Sequence, residues 1–222
     1  MLQDAPFSSI GASRCCLLAF SAVLLAVAGC APKAPPLTGP RVSEELPSLD
    51  LQGSRRMVFR WRYADATIML SGEGIARVTA PDSARLDFFV DGGLGGGVAF
   101  LFGDSLVAPG AGSIRRVLPP APMMWAAFGR LALPPAEDTV VTRNGETLQA
   151  ELGRNPRWRV TLGPEGITRL VSLRGSRVHE YVNRGEEEVL YENPGERRTL
   201  RISIEGDDRV PGFPEDTWPP HD

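Results

Sequence analysis

The sequence is poor in the residues on which thiol chemistry and metal binding depend. Its three cysteines, Cys15, Cys16 and Cys30, all lie near the N-terminus, so the rest of the chain offers no disulfide, no thiolate metal site and no cysteine nucleophile. Lysine occurs once, at Lys33, and the other cationic side chains are arginines. Because the net charge is −3, the composition gives no reason to expect a nucleic acid as a partner.

Motifs for catalysis are also missing. His179-Glu180 begins like the helix of a zinc protease, but Asn183 stands where the second histidine is needed, and the alternating context predicts a strand. The chain has no Gly-x-Ser-x-Gly elbow, and its glycine run at 92–97 lacks the Gly-Lys-Ser/Thr ending of a phosphate loop. We therefore expect no enzymatic activity, no metal and no cofactor.

The one long apolar run, residues 15–29, is too short to predict a membrane-spanning helix and has the length of a signal-peptide core. The run ends in Val27-Ala28-Gly29-Cys30, which resembles the lipobox of bacterial lipoproteins. The resemblance implies that residues 1–29 are a signal peptide and that Cys30 is lipidated. The alternative is an ordinary secretory signal cleaved near Ala31. Since the residue after Cys30 is not Asp, we expect the periplasmic face of the outer membrane.

The remaining chain is long enough to bury one core. Residues 30–49 contain five prolines and are predicted to be an extended tether behind the lipidated cysteine. The folded domain is expected at 50–205, and residues 206–222 are expected to be an irregular, Pro-rich acidic tail.

The dominant hydrophobic period in the domain is two, which predicts strands. In residues 55–63, for example, Met57, Phe59, Trp61 and Tyr63 share one face. About eleven such strands, separated by short turns, predict a mainly β fold with a single antiparallel, strongly curved sheet. One segment differs, because residues 122–133 are almost entirely apolar and bounded by prolines, which predicts a short buried helix.

Together these features resemble the LolA/LolB-like superfamily of lipoprotein localisation factors. The most family-like segments are Ser71-Gly72-Glu73-Gly74 and Pro81-Asp82-Ser83-Ala84-Arg85-Leu86-Asp87. The resemblance implies a half-open β-barrel whose concave face, with one or two short covering helices, encloses an apolar cavity for acyl chains. The cavity-lining candidates are Phe59, Trp61, Leu86, Phe88, Val90, Met123, Met124, Trp125 and Phe128. The resemblance also implies that Leu94, alone among glycines, contacts the membrane.

Two interpretations of function stay open. In the first, the protein is a membrane-anchored monomer with a LolB-like role, which binds lipid or lipoprotein acyl chains at the outer membrane. In the second, it is a non-catalytic envelope scaffold that contacts other envelope proteins and has a filled core. A dry cavity of several hundred Å³ beneath residues 122–133 would favour the first, and a side-chain-filled interior the second.

Overall fold

Thirteen antiparallel strands form one sheet in the described part of the chain. The computed structural model describes residues 32–93, 95–110, 112–133, 136 and 138–218. The strands are β1 (Arg41–Val42), β2 (Ser54–Ala64), β3 (Met69–Thr79), β4 (Ser83–Val90), β5 (Gly96–Phe102), β6 (Ser105–Val107), β7 (Thr139–Asn144), β8 (Thr147–Leu152), β9 (Arg157–Gly163), β10 (Gly166–Arg174), β11 (Arg177–Arg184), β12 (Glu188–Asn193) and β13 (Arg198–Val210).

The strand order is β1-β7-β8-β9-β10-β11-β12-β13-β2-β3-β4-β5-β6. The sheet curves around one core without closing, which makes it the half-open barrel that the family resemblance implies. β2 illustrates how the two faces of the sheet differ. Met57, Phe59, Trp61 and Tyr63 are buried on the concave face, while the arginines between them face outward.

Two short helices lie on the concave side, α1 (Gly112–Val117) and α2 (Ala121–Ala127). In α2, Pro122 occupies the first turn, and the six remaining residues of the helix are all buried. The helix was predicted to extend to residue 133, which is wrong. It ends at Ala127, and the chain turns away at Gly129, whose φ of +86° suits glycine.

Residues 32–42, which we call the N-terminal strap, lie on the sheet and do not stand away from it. The amide of Val178 donates to the carbonyl of Pro32, and that of Ala34 to Ser176. Ala34 packs on Val171, Leu173 and Val178, a cluster separate from the main core. The strap then reaches the edge of the sheet, where Arg41–Val42 pairs with β7. The tether interpretation of residues 30–49 is therefore wrong for the described part of that segment.

Two strands and one boundary also differ from the predictions. β1 and β7 bring the number of strands to thirteen. They were not predicted, because a two-residue strand in a Pro-rich segment and a strand directly after prolines carry little periodic signal. The tail begins after Val210, since β13 continues through residues 206–210 to pair with β2. Trp218 packs that tail against Phe102, with ring centroids 6.2 Å apart.

Because successive strands of the sheet are antiparallel, their connections alternate between two rims. The near rim carries the connections β2–β3, β4–β5, β8–β9, β10–β11 and β12–β13, and the strap begins there beside Arg177. The far rim carries β3–β4, β5–β6, β7–β8, β9–β10 and β11–β12. Among the described residues, no helix combines the length and the apolar character needed to cross a bilayer.

Candidate functional site

The residues predicted to line a cavity meet in the main core. All are buried there except Val90, which is partly buried against it. The ring of Phe88 makes edge-to-face contacts with Phe59 and Trp61, at centroid distances of 5.7 and 5.6 Å. From the other side, Trp125 of α2 donates from Nε1 to the carbonyl of Gly103 at 2.6 Å. The structure thus brings the nine residues together, while their role in binding a ligand stays a prediction.

The space between α2 and the sheet is filled by side chains. The void there has a volume of about 10 Å³ and is bordered by Phe59, Leu86, Phe88, Met124 and Phe128, among others. A void of this size is at the lower limit for holding one water molecule. The described residues therefore contain no dry cavity of several hundred Å³ beneath α2.

A much larger cavity, of about 690 Å³, opens at the near rim, and we call it the mouth cavity. Its lining residues are Tyr63, Asp65, Ala66, Leu106, Val107, Ala108, Arg115, Arg116, Leu118, Pro119, Pro120, Glu196 and Arg198. Tyr63 and Leu118 also belong to the main core, so the cavity borders the apolar interior. Its volume lies within the range of small-molecule sites in proteins, and its lining combines an apolar wall with five charged residues.

Asp65 is the most strongly held polar group of the mouth cavity. Its carboxylate accepts hydrogen bonds from the Tyr63 hydroxyl at 2.7 Å, from the Thr67 amide at 2.7 Å and from Nε of Arg116 at 2.8 Å, besides further donors. Burial opposes ionisation of Asp65, but the hydrogen bonds from Thr67, from Tyr63 and from the Ile68 amide outweigh it and hold its pKa far below the ordinary value. Burial, together with the bond to Asp65, raises the pKa of Tyr63. Asp65 therefore stays ionised and ties α1 to the β2–β3 turn.

Arg198 holds the same segment from β13. Its Nη2 donates to the carbonyls of Arg116 at 2.7 Å and Leu118 at 3.2 Å, at the C-terminal end of α1 where carbonyls lack helical partners. Its Nη1 donates to Glu196 at 3.0 Å. The apolar side chains of α1, Ile114 and Val117, are fully buried. α1 therefore forms a wall of the mouth cavity. Hydrogen bonds from Arg198 hold its C-terminal end, and its buried apolar side chains pack on the main core.

A buried polar pair lies deeper, between β11 and β12. The hydroxyl of Tyr191 donates to Oε2 of Glu180 at 2.8 Å, and both side chains are buried. Burial raises the pKa of Tyr191 strongly, and the Glu180 carboxylate adds to the shift. His179, by contrast, lies half-buried in β11, which is the strand position predicted for it. The alternation Val178-His179-Glu180-Tyr181-Val182 already placed Glu180 on the apolar face, a signal that sequence reasoning missed.

Other members of the site also escaped sequence reasoning. Asp65, Arg116 and Arg198 come from three distant segments, and no local pattern connects them. Two predicted sites, Cys30 and Leu94, lie outside the described residues.

The architecture has counterparts among solved structures. A LolA superfamily protein from Nitrosomonas europaea superposes with a TM-score of 0.51 at 7% identity, over 76% of this chain and 91% of that one. The chain has a LolA-like fold. A DUF1329 family protein from Desulfovibrio piger (TM-score 0.45, 10% identity, 75% of this chain and 90% of that one) is also similar. So is an outer membrane lipoprotein-sorting protein domain from Vibrio parahaemolyticus (TM-score 0.39, 7% identity, 74% and 88%). No protein-family model and no curated protein sequence matches the chain.

Proposed function

We propose that this LolA-like protein is an envelope lipoprotein, acylated at Cys30, which binds lipid or lipoprotein acyl chains at the outer membrane in a LolB-like, non-catalytic role. The observation that carries the proposal is the mouth cavity of about 690 Å³, which borders the apolar core at the open end of the half-barrel. Its apolar wall suits an acyl chain. Its arginines suit the polar group to which that chain is attached.

Binding begins at the wall formed by Leu106, Val107 and Leu118. Deeper entry requires movement of α1 and α2, because the side chains of Met124 and Phe128 now fill the interior. Re-exposing Ile114 and Val117 of α1 costs roughly 3–6 kcal/mol. Burial of about four to eight methylenes offsets that cost at about 0.8 kcal/mol each. An acyl chain of ordinary length is therefore sufficient to open the site, and the flexible methionines can repack around it.

A matched pair of variants tests the cavity. Val107 is 50% exposed and lines it, whereas Phe89 is 53% exposed on the outer face of β4 and lies outside it. Val107→Glu should weaken binding of a fluorescent fatty acid analogue about tenfold, since a charge replaces apolar contact, and Phe89→Glu should leave binding unchanged. The proposal fails if the folded wild-type chain shows no saturable binding that fatty acid or lipopeptide displaces, or if both variants behave alike.

A second candidate function is a non-transporting scaffold of the envelope, favoured by the void of only about 10 Å³ beneath α2. A core packed this completely is what a purely structural domain requires. This candidate predicts no acyl-chain binding by a protein whose circular dichroism spectrum shows it to be well folded. It also predicts capture of another envelope protein through the outer surface of the sheet.

A further inference from the structure

The two rims of the half-barrel differ in charge. The far-rim connections carry only acidic charged residues, namely Asp82, Asp104, Glu146, Glu165, Glu186 and Glu187. The near rim instead carries exposed cations at the place where the strap begins. The backbone of Lys33 forms an isolated antiparallel β-bridge with that of Arg177. In the β10–β11 hairpin, Arg177 is in turn the cross-strand neighbour of Arg174. The connections at the far rim are therefore acidic, whereas a group of exposed cations lies where the strap meets the near rim.

The near-rim cations are available to an external partner. Lys33, Arg174 and Arg177 are all exposed, and among the described residues no carboxylate forms an ion pair with any of them. The carboxylates of the same rim are mostly neutralised: Asp65 by Arg116, and Glu196 by Arg198.

Two other carboxylates of the near rim also have partners. Asp138 is paired with Arg154, and Asp91 accepts a hydrogen bond from Ser71. Because the three cations occupy adjacent backbone positions, they lie close enough to act together within a Debye length of about 8–10 Å.

The course of the strap brings this cluster to the anchor. Pro32 is hydrogen-bonded to Val178, so only Ala31 separates the docked chain from Cys30. Acylation of Cys30, as proposed above, would therefore keep the start of the strap within a very short length of chain of the bilayer surface. Met69, at the start of β3 on the same rim, is 81% exposed, which places an apolar side chain on that side as well.

We propose that the near rim docks on anionic phospholipid headgroups through Lys33, Arg174 and Arg177, with the acidic far rim turned away from the membrane. This orientation places the mouth cavity next to the bilayer. It rests on the membrane location proposed above but does not depend on acyl-chain binding. Each basic side chain near an anionic surface strengthens binding about fivefold, so the three together contribute roughly a hundredfold.

The test uses the chain from Ala31 onward, which contains the whole compact unit and lacks the anchor. Cosedimentation is measured with vesicles of phosphatidylcholine alone and with vesicles that also contain phosphatidylglycerol. The wild-type chain should prefer the anionic vesicles and lose that preference as salt is raised. The triple variant Lys33→Gln, Arg174→Gln, Arg177→Gln should bind them roughly a hundredfold more weakly.

A control variant removes the same charge elsewhere. Arg56, Arg60 and Arg209 are exposed on β2 and β13, away from the near rim, and their replacement by Gln should change binding less than about threefold. Thermal melts verify that each variant is folded. Equal losses in the two triple variants, an unaffected near-rim variant or equal binding to both vesicles would overturn the proposal. Since the assay does not measure acyl-chain binding, its failure is distinguishable from failure of the proposed function.

Discussion

Trp125 fixes α2 against the sheet, and replacing it with Phe tests how firmly the interior is closed. The indole is fully buried and donates from Nε1 to the carbonyl of Gly103. Its ring lies 4.9 Å from the guanidinium of Arg130, whose Nε and Nη1 are buried without a hydrogen-bond partner among the described residues. Phe128 makes an edge-to-face contact on the same ring, at 6.3 Å.

The expected loss of stability follows from these contacts. In Trp125→Phe the half-buried Gly103 carbonyl loses its hydrogen-bond donor, which costs about 0.5–1.5 kcal/mol. The cation–π contact with Arg130 weakens by about 0.5–1 kcal/mol. The sum, roughly 1–2.5 kcal/mol, lowers the Tm of a domain of this size by about 2–10 °C.

Trp218→Phe is the matched control for a differential-scanning measurement of Tm. Trp218 is half-buried and touches Phe102 and Phe213, but its indole N–H makes no hydrogen bond among the described residues. Its replacement should cost less than about 1 kcal/mol. If Trp125→Phe melts like the wild type, or no lower than Trp218→Phe, then Trp125 does not fix α2 and the account of a closed interior is wrong.

Three further predictions concern the anchor, the glycine-rich turn and acid stability. Cys30→Ala should release the protein from the membrane fraction or leave an unprocessed precursor, and normal maturation with membrane fractionation would place the anchor elsewhere. Leu94→Glu should leave the Tm nearly unchanged but slow the delivery of lipid to liposomes. A leucine flanked by glycines adds little to the stability of the fold, while its burial in a bilayer contributes roughly 1.5–3 kcal/mol. A large loss of stability in this variant would place Leu94 in the core. The pKa of Asp65 is lowered by folding, so the stability it contributes is present above its ordinary pKa of 3.8 and is lost as the pH falls below that value. Thermal melts of the wild type should therefore lose more stability than those of Asp65→Asn below about pH 4, and parallel curves for the two proteins would contradict the assignment.

The sequence was sufficient to predict the elements whose burial is periodic. The alternation from Met57 to Tyr63 marked β2 and its inward face, and Pro122 marked the start of α2. Its end was misjudged because Leu131, Ala132 and Leu133 continue the apolar pattern beyond Gly129, where the chain turns. α1 was missed because a six-residue helix carries too short a pattern.

The mouth cavity could not be predicted for a different reason. It depends on tertiary contacts such as Asp65 with Arg116 and Arg198 with the carbonyl of Leu118, which join residues far apart in sequence. A Pro-rich segment also looks the same in sequence whether it is free or docked. The strap was therefore taken for a tether, since its pairing with Ser176 and Val178 uses backbone groups that any sequence offers.

The central claim, that the mouth cavity binds acyl chains, is tested most directly by native mass spectrometry of the mature protein extracted from membranes. Discrete non-covalent lipid adducts are expected on the wild type and on Phe89→Glu, and they should be lost from Val107→Glu. A wild-type spectrum without adducts, or adducts that persist equally in Val107→Glu, would contradict the claim and favour the scaffold with a filled core.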